Sequence, residues 1–173
     1  MSASRMPRKS KTKPAAARAP VATAVQSRRY PERPMAGIGV VIWRGDKVLL
    51  VKRKNAPRVG EWGLPGGAQK IGETIMEAAV REAREETGLD IAPLGIVTAL
   101  DAITRDRAGK IEYHYTLIEI AAEAGRDEEG GQKARAGSDV SEVRWARLDE
   151  VEKLCAWPEV ARVVRLSLLQ RAL

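Results

Sequence analysis

One cysteine, Cys155, and one histidine, His114, are all the thiol and imidazole this chain has. A disulfide, a structural zinc site and a Cys–His catalytic pair are therefore excluded within one chain. Sparse cysteine suits a reducing compartment, so a cytoplasmic setting is expected. No run approaches the roughly 18 apolar residues needed to span a membrane, and no apolar stretch follows the basic start as it would in a secretory signal. No G-x-x-x-x-G-K-[ST] segment occurs either, so phosphates are not expected to rest on a P-loop.

Acidic residues are missing from one region only. Residues 1 to 31 hold eight Lys or Arg and four Pro, with no Asp, Glu, Leu, Ile, Phe or Trp. Such a stretch cannot bury enough apolar surface to offset the entropy of ordering it, and residues 1–34 are expected to be a disordered basic tail. Of the 30 Lys and Arg, eight lie there, leaving 22 against 23 acidic residues, so the net charge of +7 belongs to the tail. Its Arg, Ser and Ala content resembles an organellar transit peptide, but without large apolar residues it cannot make the amphipathic helix such a peptide needs. A solvated arm is expected, with weak contact to RNA or anionic surfaces as its functional alternative. Residues 1–31 should be dispensable for folding and small-molecule chemistry. The rest, 35–173, has the length of one domain with its own core.

Within that domain the segment GAQKIGETIMEAAVREAREETGL, residues 67–89, carries the densest pattern. Thr74 followed three residues later by Glu77 is a capping box, and Gly88 followed by Pro93 is a stop, which predicts a helix over Thr74–Thr87. Ile75, Met76, Ala79, Val80 and Ala83 form its apolar stripe. Glu82, Glu85 and Glu86 fall at i, i+3 and i+4 on the charged side, within one turn of each other. Like charges so placed repel, and a hard divalent cation with oxygen ligands relieves that repulsion. Arg81 is four residues after Glu77 and four before Glu85, placed to hold a carboxylate in a fixed rotamer.

Gly67, Glu73, Arg81-Glu82-Ala83, Glu85-Glu86 and Gly88-Leu89 together fill the Nudix box, and the chain resembles the Nudix hydrolase superfamily from about Ala36 to Leu148. Ala83 is a soft departure, since the family usually carries a bulkier aliphatic there. Trp62-Gly63-Leu64-Pro65-Gly66-Gly67 is similar to the loop leading into the box. The resemblance implies an α/β/α sandwich with a mixed sheet and hydrolysis dependent on Mg²⁺ or Mn²⁺. It implies Glu85 and Glu86 as principal metal ligands, Glu82 as a ligand or base, and the main-chain carbonyl of Gly67 as a further donor. Glu73 and Arg81 are implied to support those ligands. The family often recruits another acid from a loop before a late strand. Asp139 matches that place best, with Glu128 and Glu129 as alternates.

Elsewhere, AGIGVVIWRGDKVLLVKRK from Ala36 reads as a hairpin turning at Arg44-Gly45-Asp46. Trp43 is expected in the core. The polar loop 55–60 brings Arg53 and Arg58 near a substrate phosphate, or leaves them solvated. Strands are expected at Leu94–Ile103, at Ile111–Ala121 and at Glu142–Leu148. In the second, Tyr113, Tyr115 and Leu117 share one face, and Glu112 and His114 the other. Residues 122–139 are expected to be a loop, either without order or a lid. The remainder, 149–173, should be helical in two pieces split at Trp157-Pro158.

Chemically, a pyrophosphate linkage yields when a water is aimed in line at phosphorus while cations neutralise the charge spreading over the phosphate oxygens. Carboxylates are needed both to hold metal and to orient water. The layout from Asp101 through Tyr113-His114-Tyr115 to Asp139 and Trp145 is loosely similar to bacterial ADP-ribose-pyrophosphatase-like members, which implies a nucleoside diphosphate linked to another moiety as substrate. The proline that marks established ADP-ribose enzymes is missing, since Asp90 to Glu112 contains only Pro93. Hydrolysis of (d)NTPs is the alternative within the family. An RNA-end pyrophosphohydrolase that docks through the tail, a non-catalytic nucleotide-binding module and a homodimer are further alternatives left open. The intact acidic set speaks against lost catalysis.

Overall fold

The computed structural model describes residues 28–125 and 132–172. Residues 1–27, and with them most of the expected tail, lie outside the described residues, as do Glu128 and Glu129. Arg29 and Tyr30, which the sequence assigns to the tail, are placed on the sheet. The Arg29 guanidinium donates to Glu112 at 2.8 Å, the Tyr30 hydroxyl to Asp106 at 3.0 Å, and the Tyr30 N–H to the Glu112 carbonyl at 2.8 Å. One aromatic ring with a polar tip is enough to fasten a short stretch that has no core of its own.

Among the described residues seven strands form one mixed sheet: β1 (Met35–Arg44), β2 (Lys47–Arg53), β3 (Trp62–Gly63), β4 (Gly66–Ala68), β5 (Ile91–Arg105), β6 (Ile111–Ala124) and β7 (Val140–Arg147). The main path runs β3-β2-β1-β6-β5, with β4 pairing β1 and β7 pairing β2. Of the pairs among the described residues only β1–β6 is parallel, and it sits at the centre of the path. The β1–β2 hairpin closes with Arg44 opposite Lys47, so Gly45-Asp46 is a two-residue turn, and Gly45 takes the positive φ of 59° that the turn requires.

Alternation along β1 splits the core into two layers. Ile38, Val40 and Ile42 pack with Leu49, Ile120 and the alanines of α1 (Ile75–Thr87), while Val41 and Trp43 pack with Val48, Leu50 and the helices α2 (Leu148–Leu154) and α3 (Pro158–Arg171). Helices thus cover both faces, which is the expected α/β/α sandwich. Trp43 is 2% exposed, and its ring N–H donates to the buried Ser167 hydroxyl at 2.9 Å, pinning α3 to the sheet. Pro158 opens α3 at its first turn, where a missing N–H costs nothing. Among the described residues no helix is long and apolar enough to cross a membrane.

β5 and β6 each extend beyond the segments read from sequence, because the two strands pair along their whole length from Ile91–Ala124 to Arg105–Ile111. Cross-strand bonding carries polar and alanine-rich ends that periodicity alone leaves out.

Candidate functional site

The site is built around α1, whose ends are both fixed. The Thr74 hydroxyl accepts from the Glu77 N–H at 3.2 Å, and the Glu77 carboxylate accepts from the Thr74 N–H at 2.8 Å. Gly88, at φ 69°, donates its N–H to the Arg84 carbonyl. With both ends fixed the helix cannot slide, and the angular positions of its acids are set.

Those positions differ from the expected charged side. Glu82 and Glu86 lie on the buried side with Ala78, Ala79 and Ala83, and only Glu85 of the three is exposed. Met76 and Val80, expected in the stripe, are only half-buried. Two glycines of β4 explain the shift, because α1 crosses a strand with no side-chain bulk. The Glu82 carboxylate occupies the place a Cβ on Gly67 would take, and the Gly66 N–H donates to Glu86 Oε2 at 2.9 Å. Burial pushes the Glu86 carboxyl up to about 7; the Gly66 N–H and Arg53 oppose this, and the charges of Glu82 and Asp139 add to it.

Arg81 ties the outer side together. Its Nε and Nη2 grip Glu73 at 2.5 and 2.9 Å, its Nη1 reaches Glu82 at 2.6 Å and Glu85 at 3.1 Å, and its Nη2 also donates to the Ala68 carbonyl at 3.1 Å. The paired guanidinium, helped by the Lys70 N–H, holds Glu73 down to about 2, and the carboxylates raise Arg81 in turn. Of the two spacings read from sequence, Arg81 uses the one to Glu85; Glu77 is taken by the helix cap.

Glu82, Glu85, Glu86 and Gly67 line one cavity of about 480 Å³. Their donors are all oxygen, and two of the carboxylates are buried with like charge beside them, which fits a hard divalent cation. In this structure Arg81 stands between Glu82 and Glu85, and among the described residues no three acidic, His or Cys groups converge on one point.

Asp139 lines the same cavity, just ahead of β7. Its carbonyl accepts from the Lys54 N–H at 3.1 Å, and its carboxylate accepts from the Asn55 amide at 3.4 Å. The expected free loop or lid is corrected over 132–139. There Arg135 and Gly137 donate their N–H groups to the Thr87 and Glu86 carbonyls, both at 2.9 Å. These are carbonyls that the last turn of a helix leaves unbonded, and the loop satisfies them.

Arg53 and Arg58 also line the cavity. Among the described residues, Arg53 Nε is one of two buried polar side-chain atoms without a hydrogen-bond partner. Arg58 lies 4.4 Å over the Trp157 ring and 3.5 Å from Glu61. His114 is not a lining residue; it faces Asp101 at 3.9 Å.

Several lining residues escaped the sequence reading: Arg28 from the stretch assigned to the tail, Trp157 from the break between helices, and Tyr115, Leu117 and Glu119 from one face of β6. Glu119 had a usable signal. It continues the i, i+2 alternation of Tyr115 and Leu117, and a carboxylate at an apolar strand position is out of place unless something binds it.

Burial of these acids has a thermodynamic consequence. Desolvation pushes Glu119, like Glu86, to about 7 against 4.5 for a free side chain. The folded chain therefore holds protons between these values that the unfolded chain releases, and stability falls as pH rises through that window, by up to about 3 kcal/mol per group. Glu73, held low, acts only below that window. Thermal melts of chelator-treated protein from pH 5 to pH 8 should show Tm dropping toward neutral pH, with a shallower slope in Glu119→Gln. A Tm that rises over this range would contradict the assignment.

The chain is 32% identical over 121 residues to an ADP-ribose pyrophosphatase of Methanocaldococcus jannaschii, covering 70% of this chain and 66% of that protein. It is 33% identical over 102 residues to a putative 8-oxo-dGTP diphosphatase 3 of Mycobacterium tuberculosis, covering 59% of this chain and 44% of that protein. The chain thus spans less than two thirds of the length of either relative. The crystal structure of a MutT NUDIX hydrolase from Burkholderia pseudomallei superposes with a TM-score of 0.60 at 29% identity, over 80% of this chain and 98% of that one. Residues 33–166 match the family model described as the NUDIX domain, most of the chain's length, and the chain belongs to the Nudix family.

Proposed function

We propose that the protein hydrolyses the pyrophosphate bond of a nucleoside diphosphate linked to another moiety, such as ADP-ribose or a nucleotide sugar, with Mg²⁺ or Mn²⁺. One observation carries the proposal: a single cavity joins the acidic cluster of α1 and two arginines to a chamber lined by Trp62, Leu117, Trp157 and Val160. A pyrophosphate fits the first part and a flat, partly apolar nucleoside the second. The relative named as an ADP-ribose pyrophosphatase supports the substrate class.

In this mechanism Glu85 and Glu86 are the principal ligands of the cation, with Glu82 and the Gly67 carbonyl completing its oxygen set. The bound cation supplies charge neutralisation for the pyrophosphate oxygens and the leaving group. Arg81, braced by Glu73, sets the rotamers of Glu82 and Glu85. Arg53, a lining residue whose Nε has no partner, donates to a phosphate oxygen, and Arg58, which also lines the cavity, is a second positive charge. Asp139, held by Asn55 and by its own backbone, accepts a hydrogen bond from the attacking water and orients it in line.

Asp139→Asn is expected to lower kcat by about tenfold with KM nearly unchanged, because a water-orienting group acts in the transition state. Steady-state kinetics check this. An unchanged kcat would move the role to Glu82.

A second reading, hydrolysis of (d)NTPs, is favoured by the identity to the relative named as a putative 8-oxo-dGTP diphosphatase. A panel of ADP-ribose, nucleotide sugars and dNTPs with Mg²⁺ separates the two. The expected result is the highest kcat/KM on a nucleoside diphosphate derivative; a higher value on a dNTP overturns the substrate class while leaving the reaction type in place.

A further inference from the structure

A further buried carboxyl, that of Glu119, lies in the cavity away from the acidic cluster, and pyrophosphate chemistry has no use for it there. Glu119 follows Tyr115 and Leu117 at every second position of β6, so the three side chains share the face covered by α3, and all three line the cavity. The surrounding lining is apolar: Leu100 of β5, Val160 and Val163 of α3. Glu119 is 4% exposed, and its Oε2 is the other buried polar atom without a partner among the described residues. Across the parallel pair stands Gly39, and a Cβ there would collide with the Glu119 carboxyl. The carboxyl therefore lies against bare β1 backbone. A buried oxygen left without a hydrogen bond weakens the empty protein, and such groups are retained where a ligand supplies the partner.

We propose that Glu119 recognises the nucleobase, hydrogen-bonding an edge that carries an exocyclic amino group beside a ring-nitrogen acceptor, as adenine does. This assignment rests on the nucleotide reading of the cavity given above. Trp62 and Trp157 supply aromatic surface for the ring, and Glu119 is a buried polar group among apolar lining that can read its edge. Burial favours the uncharged acid, which presents an O–H donor and a C=O acceptor side by side. Adenine offers the complementary pair, a ring nitrogen that accepts and an amino N–H that donates. A glutamine at this position keeps one donor and one acceptor; a leucine keeps neither.

Calorimetric binding of AMP and of purine riboside 5′-monophosphate, which lacks the amino group, tests this without requiring turnover. The wild type is expected to bind AMP about tenfold or more tightly than the analogue, the size of effect that one lost hydrogen bond in an apolar site gives. Glu119→Gln should keep that preference within about threefold, and Glu119→Leu should bind both nucleotides alike, with AMP weakened to the level of the analogue. A preference that survives in Glu119→Leu, a Gln variant that loses as much as Leu, or a wild type that does not discriminate would each overturn the proposal. Should AMP discrimination hold while no pyrophosphate is cleaved, the hydrolase reading fails and the base assignment stands; the reverse result removes the base assignment alone.

Discussion

Glu86→Gln is expected to lose about 10²-fold or more in kcat with the fold intact, and its Tm should equal or exceed that of the wild type near neutral pH. The two effects have one origin. Glu86 is 8% exposed, and this burial raises its carboxyl, against Gly66 and Arg53 and with a smaller push from Glu82 and Asp139. Removing its charge relieves repulsion in the metal-free protein and, on the proposed mechanism, takes an anionic ligand from the cation. The Gly66 N–H can still donate to the glutamine carbonyl, so β4 stays attached to α1. Glu85→Gln should lose activity on a similar scale but leave Tm near the wild-type value, since Glu85 is exposed and its bonds to Arg81 and Lys70 lie in solvent. Kinetics with saturating Mg²⁺ and circular-dichroism melts measure both. Undiminished turnover in either variant would remove the metal-ligand assignment.

Gly67→Ala is expected to cost about 10²-fold in activity for a small change in Tm. A Cβ at this position would meet Cδ and Oε2 of Glu82 at 2.6 and 2.7 Å. The obstructing atoms are the end of a flexible side chain, so the fold can yield cheaply. The carboxylate then leaves the position where Arg81 holds it, and the oxygen set around Gly67 is no longer assembled. The same substitution at Gly63, which also lines the cavity but where an added Cβ meets nothing within 4 Å, should leave Tm near wild type and serves as the stability control. If Gly67→Ala retains full activity, Glu82 has no fixed place in the site.

How much of this was legible in the sequence depended on whether the cause was local. The ends of α1 were readable because Thr74, Glu77 and Gly88 act within one turn of themselves, and the β1–β2 turn was readable for the same reason. The acids of the Nudix box could be identified, but the reading that put all three on the charged side was wrong for Glu82 and Glu86, which are buried. Whether Glu82 faces water or a strand depends on Gly66 and Gly67 lying beneath the helix, a contact made by tertiary packing. Arg28 was read by composition as part of a tail, since nothing near it in sequence announces Tyr30 docking on Asp106. The loop before Asp139 read as free because its glycines give it no intrinsic order. Its anchoring comes from carbonyls at the end of α1, some fifty residues away in sequence, which no local pattern can reveal.

Whether the carboxylates of α1 hold a divalent cation that activates a pyrophosphate bond is decided by ³¹P NMR of ADP-ribose incubated with the full chain. With Mg²⁺ present, the two pyrophosphate resonances should disappear and be replaced by the phosphomonoester signals of AMP and ribose 5-phosphate; in excess chelator they should persist. Products that form equally fast in chelator would contradict the account.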